Sequence, residues 1–152
     1  MYYVSTRSKQ EKLTAAQAIA RGLAADGGLL TPESFPTLTA GDLERLKDMT
    51  YQQRAVEIMG RYLDDFSAQE LSGFALSAYG PDKFDDPAVA PVRTVDGATH
   101  CLELWHGPTC AFKDMALQML PHLLSASLVK NHETKTVCIL VATSGDTGKA
   151  AL

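Results

Sequence analysis

Thr136–Ala142 (TVCILVA) is an unbroken β-branched and apolar run. A run of this kind is the signature of a strand buried on both faces, with neighbours in a sheet and helices above and below it. It is far too short to span a bilayer. After it, Ser144-Gly145-Asp146-Thr147-Gly148 reads as a loop, and Lys149 to Leu152 begins a helix. Before it, Phe112 to about Lys130 has a helical pattern, with Pro121 inside, where a kink or break is expected. The order helix, strand, loop, helix predicts the start of an open α/β sheet. A chain that stops one turn into an amphipathic helix looks truncated, so an N-terminal piece of a longer protein is expected.

The first eighty residues follow a different pattern. Tyr2–Ser5 is a short β-prone stretch. Thr14 is positioned to cap a helix whose Ala15, Ala18, Ile19 and Leu23 share a face, stopping near Gly22. Asp26-Gly27-Gly28 is a turn and Pro32 a breaker. A second helix is predicted from Thr39 to about Lys47. Thr50 with Gln53, and Ser67 with Glu70, have the spacing of capping boxes. Their apolar stripes are Ala55, Ile58, Met59, Tyr62 and Leu63, then Leu71, Phe74, Ala75 and Ala78. Gly80 to Pro91 (GPDKFDDPAVAP) carries three prolines and three aspartates without periodicity and reads as a connector. Val92–Val95 and His100–Trp105 flank an Asp96-Gly97 turn, a hairpin signal. The expected division is a helical domain over 1–80 and the beginning of an α/β domain over 81–152.

Composition narrows the classes. Of 152 residues, 45% are hydrophobic and 21% charged, the range of folded globular proteins. A net charge of −4 gives no general attraction to nucleic acid or to anionic lipid. The N-terminus lacks the basic head and apolar stretch of a signal peptide. Three cysteines make no disulfide framework, so a reduced, cytoplasmic protein is expected.

Two stretches carry chemistry. In His106-Gly107-Pro108-Thr109-Cys110-Ala111-Phe112-Lys113-Asp114, the lysine falls in a first helical turn. The positive end of the helix dipole, with Ala111, Phe112 and Met115 around it, would lower the lysine pKa, as a Schiff-base lysine requires. The plain alternative is a surface lysine paired with Asp114. In Thr143-Ser144-Gly145-Asp146-Thr147-Gly148, backbone N–H groups and small hydroxyls at the end of a strand suit an anion. The plain alternative is a structural turn. The loop is no Walker A motif, because Thr143 stands where the first glycine belongs, and it lacks the G-x-G of a dinucleotide fingerprint. An electrophile-carrying lysine and an anion cradle on successive helix starts is the layout of a pyridoxal phosphate enzyme acting on an amino acid.

Leu102 to Asp114 closely resembles the cofactor-lysine segment of the threonine synthase family. Ala142 to Gly148 is similar to that family's next motif, and Gly22-Leu23-Ala24-Ala25-Asp26-Gly27-Gly28-Leu29 to its early G-L-A-x-D-G-G-L stretch. The resemblance runs in order through the whole chain. It implies a fold-type II pyridoxal phosphate enzyme that turns O-phospho-L-homoserine and water into L-threonine and phosphate. It implies that Lys113 holds the cofactor and shuttles protons at the substrate Cα and Cβ. It further implies that Thr143, Ser144, Gly145, Asp146 and Thr147 hold the substrate carboxylate, with Asp146 also touching the cofactor ring oxygen. The family's glycine-rich phosphate loop, and the residue facing the pyridine nitrogen, lie outside these 152 residues. The chain alone is therefore expected to be inactive, to bind the cofactor weakly, and to expose apolar surface that associates with itself or with the rest of the same polypeptide.

Other readings compete. Cys101, His106 and Cys110 are close in sequence, but their spacing lacks the paired half of a zinc site. His106 either shapes the turn or transfers protons. Lys149 either offers a cation to the substrate phosphate or faces solvent. Cys138 is expected to be a buried small hydrophobe, and Met115, Met119, Leu120 and Leu123 to be core. The alternative functions are another fold-type II pyridoxal phosphate lyase, a truncated non-catalytic interaction module, and an unspecified nucleotide-binding protein.

Overall fold

A computed structural model describes residues 1–152. The N-terminal part contains β1 (Tyr3–Ser5), α1 (Ala15–Arg21), β2 (Leu30–Pro32), α2 (Ala40–Lys47), α3 (Tyr51–Gly60) and α4 (Ala68–Ala78). Each of the four helices opens with a complete capping box, at Thr14 with Gln17, Thr39 with Asp42, Thr50 with Gln53 and Ser67 with Glu70. Each box satisfies backbone donors that the first helical turn leaves without partners. Strands β1 and β2 pair antiparallel, Tyr3 opposite Pro32. The turn between α1 and β2 is held by Asp26, whose Oδ1 accepts from the Ser5 hydroxyl at 2.7 Å and from the Gly28 amide at 2.9 Å.

Beyond the connector come β3 (Val92–Asp96), β4 (Thr99–Leu102), α5 (Asp114–Leu117), α6 (Leu120–Lys130) and α7 (Asp146–Ala151). Strands β3 and β4 form an antiparallel hairpin with an irregularity between Thr94 and Asp96. The fold is therefore mixed, with helices and two small open sheets and no closed barrel. No helix is long and apolar enough to cross a membrane.

Two apolar clusters hold these elements together. One gathers Ala75, Ala78, Tyr79, Phe84, Val89 and Met119. The other gathers Ala15, Ala16, Leu63, Phe66 and Leu71, with Leu123 and Ala126 packed against it. Both draw residues from the two sides of the connector, and α1 lies along α6.

Three local expectations change. Phe112 to Lys130 is two helices, broken at Gln118 and Met119. Pro121 sits in the first turn of α6, where its missing N–H costs nothing, so the break precedes it. The second hairpin strand ends at Leu102 rather than Trp105. Thr136–Ala142 forms no strand ladder, and Val137, Ile139, Leu140 and Val141 are exposed. A ladder needs a second strand, and no strand of residues 1–152 pairs with this run. Cys138 within that run is consequently exposed, not buried.

Candidate functional site

Lys113 is the residue before the first turn of α5, half-buried, in helical conformation. Its Nζ lies 4.4 Å from the centre of the Phe112 ring, a contact between a cation and an aromatic face. Asp114, the partner considered from sequence, turns the other way. It is fully buried and accepts from Thr109 at both oxygens, from the amide at 2.8 Å and from the hydroxyl at 2.8 Å. Lys113 and Asp114 therefore do not pair, and the amine is left free of any carboxylate.

The approach to the lysine is fastened at several points. His106 Nδ1 is 2.6 Å from Asp85 Oδ1 and its Nε2 is 2.8 Å from Glu103 Oε2. Both carboxylates favour the protonated ring, Glu103 most, and hold the His106 pKa above its ordinary value. The Asp85 amide also donates to the His106 carbonyl at 3.1 Å. With both nitrogens engaged by carboxylates, His106 ties the connector to the exit of the hairpin and is not turned toward Cys101 or Cys110. Beyond the lysine, the Tyr79 hydroxyl donates to the Met115 carbonyl at 2.8 Å. Cys110 stands in this loop with φ of 56°, a left-handed conformation unusual for a side chain with a Cβ.

The second stretch is built around Thr143. Its Oγ1 accepts from the Gly145 amide at 3.2 Å and the Gly148 amide at 2.9 Å, closing the loop onto the start of α7. A Cβ on Gly148 would stand 2.8 Å from that same oxygen, so a side chain there would displace the Thr143 hydroxyl. Gly145 takes φ of 138°, again a glycine conformation. The Asp146 and Thr147 amides belong to the first turn and have no intrahelical acceptor. Ser144, Asp146 and Lys149 are exposed and Thr147 is half-buried.

Helix α5 is in contact with α7. The helix that starts after Lys113 thus lies beside the helix that starts after Gly145. Thr143 has a capping role that the motif alone did not reveal. Gly107, Thr109, Asp114, Asp85, Glu103 and Tyr79 were not singled out from sequence for the parts they play around the lysine. The signals available were a glycine after the histidine and an acid directly after the lysine.

Comparison with known proteins places this geometry in context. Residues 2–79 match the family model described as threonine synthase N terminus. The chain is 37% identical to threonine synthase of Schizosaccharomyces pombe over 99% of its own length and 30% of the relative's. It is 40% identical to threonine synthase of Pseudomonas aeruginosa over 100% of its own length and 32% of the relative's. It is 38% identical to the human protein named threonine synthase-like 1, covering 21% of it. Among solved structures, a PLP-bound threonine synthase from Brucella melitensis superposes with a TM-score of 0.90 at 38% identity, over 99% of this chain and 32% of that one. Yeast threonine synthase superposes with a TM-score of 0.88 at 35% identity, over 99% and 32%. The chain spans about a third of the length of these threonine synthases.

Proposed function

Because this chain belongs to the threonine synthase family, we propose that it supplies the N-terminal domain and the cofactor lysine of an enzyme making L-threonine and phosphate from O-phospho-L-homoserine and water. The observation that carries this reading is Lys113, a free amine at the start of α5, with α5 against α7. A primary amine clear of carboxylates suits an aldehyde, and a hydroxyl-rich loop with unpaired amides suits an anion. The donor set thus fits pyridoxal phosphate, the cofactor named for the Brucella relative. When bound, that cofactor supplies an electron sink for carbanion chemistry at the substrate carbons.

The chain's own residues then divide the work. Lys113 Nζ holds the cofactor and moves protons at the substrate Cα and Cβ. The amides of Asp146 and Thr147, with the hydroxyls of Ser144 and Thr147, bind the substrate carboxylate. Asp146, exposed in the first turn of α7, would be the loop's residue on the cofactor side. Thr143 and Gly145 act by shape, fixing the loop against the start of α7 through the bonds from the Gly145 and Gly148 amides. We divide the chain at the connector, 1–80 as the N-terminal domain and 81–152 as the start of the catalytic domain; the family match ending at residue 79 supports this. The exposed Val137, Ile139, Leu140 and Val141 await strands from the rest of the same polypeptide, and residues 1–152 alone are inactive.

The test uses the full-length polypeptide. It is mixed with pyridoxal phosphate, reduced with borohydride and digested, and the labelled lysine is located by mass spectrometry; phosphate and threonine release from O-phospho-L-homoserine is measured alongside. A label on Lys113 and release of both products is expected. A label on a different lysine would sink the assignment. Phosphate release without threonine would move the reading to another lyase.

A further inference from the structure

The side chain that follows Lys113 is the most enclosed acid of the chain. Asp114 is 0% exposed. Its Oδ2 accepts from the Thr109 amide and its Oδ1 from the Thr109 hydroxyl, each at 2.8 Å. Gly107 closes the remaining side, since a Cβ there would stand 2.6 Å from both Asp114 Cβ and Oδ2. No lysine, arginine or histidine pairs with this carboxyl group. Burying a carboxyl group with neutral donors alone is unfavourable compared with an apolar residue of similar size. The arrangement is therefore a poor device for stability, and its value lies in geometry.

That geometry acts on Lys113. Successive side chains on a helical turn are about 100° apart around the axis. Lys113 and Asp114 are consecutive at the start of α5 and both helical. Fastening Asp114 inward sets the direction in which Lys113 leaves the backbone. The two contacts close a short loop over Cys110, which stands between Thr109 and Asp114 with φ of 56°. We propose that Asp114, clasped by Thr109 over Gly107, is a positioning residue that aims the Lys113 amine. The inference rests on the reading of Lys113 as the cofactor lysine.

The experiment compares Thr109→Val, Thr109→Ser and Asp114→Asn with the wild type, each as the full-length polypeptide loaded with pyridoxal phosphate. Valine keeps the shape and the amide donor but removes the hydroxyl; serine restores it. The readouts are kcat and KM, the pH midpoint of the visible cofactor band, and hydrogen exchange at the Thr109 amide in cofactor-free protein. Thr109→Val is expected to lower kcat about tenfold with KM within about twofold, because small misplacement of a reacting group costs rate more than binding. It should also shift the pH midpoint of the band, while Thr109→Ser returns both toward wild type. Asp114→Asn should speed exchange at the Thr109 amide; if that variant does not fold, the two Thr109 variants decide. A Thr109→Val enzyme with wild-type kcat and an unmoved band, whatever its melting temperature, overturns the proposal. Wild-type protein that takes no borohydride label on Lys113 overturns it together with the cofactor reading, and so is distinguished from failure of the clasp alone.

Discussion

The Tyr79 hydroxyl donates to the main-chain carbonyl of Met115 at 2.8 Å, two residues past Lys113. Tyr79 ends α4 and is buried against Tyr51 and Phe84, with ring centres 5.0 and 5.9 Å away. Burial raises the pKa of its phenol, so it stays a neutral donor. This bond joins the end of α4 to the short helix that follows the lysine.

Tyr79→Phe removes the donor and leaves the ring in place. The Met115 carbonyl then loses a partner, and stability of the full-length polypeptide should fall by about 1–2 kcal/mol. Urea unfolding with an unchanged m-value checks this. A loss below about 0.3 kcal/mol would show that the carbonyl finds another donor.

Glu70 joins α4 to α6. Its Oε1 is 2.8 Å from Lys130 Nζ. That bond first, and then the Ser67 cap, lower its pKa from 4.5 to about 2. A carboxylate held low in the folded state stabilises fully above pH 4.5, and the gain disappears as pH falls toward about 2. The group is partly exposed, so the effect is modest and salt-sensitive. Lys130→Met should flatten the acid limb of a stability-against-pH curve. Equal slopes in both proteins would remove the pair from the account.

His106 has the opposite sign. Glu103 first, then Asp85, raises its pKa above 6.5. The gain from the charged ring is complete below pH 6.5 and is lost as pH rises through the higher folded value. Thermal midpoints of the wild type should fall more steeply than those of Glu103→Gln as pH rises above 6.5. A Glu103→Gln protein with the wild-type profile would contradict the pairing.

Cys110 tests the strain in the approach to the lysine. Glycine accepts its φ of 56° without a clash. Cys110→Gly should leave stability unchanged or raise it by up to about 1 kcal/mol, and Cys110→Val should lower it by more than about 1 kcal/mol. Denaturant midpoints for the two variants settle the order; the reverse order would mean that the loop takes another path.

The parts legible in the amino-acid order are those made by near neighbours. Four helix starts follow from Thr14, Thr39, Thr50 and Ser67, because a cap is a contact across three positions. Lys113 and the Ser144–Gly148 loop were legible for the same reason, as local motifs at helix starts. Tertiary structure decided the rest. Asp114 had two open choices, an ion pair with its neighbour or burial, and only the enclosing Thr109 and Gly107 turn it inward. His106 meets Asp85 from 21 positions away, and Tyr79 meets Met115 from 36, distances that no local pattern encodes. Thr136–Ala142 has a strand's composition but no ladder, because propensity belongs to a segment and hydrogen-bond pairing to two segments brought side by side.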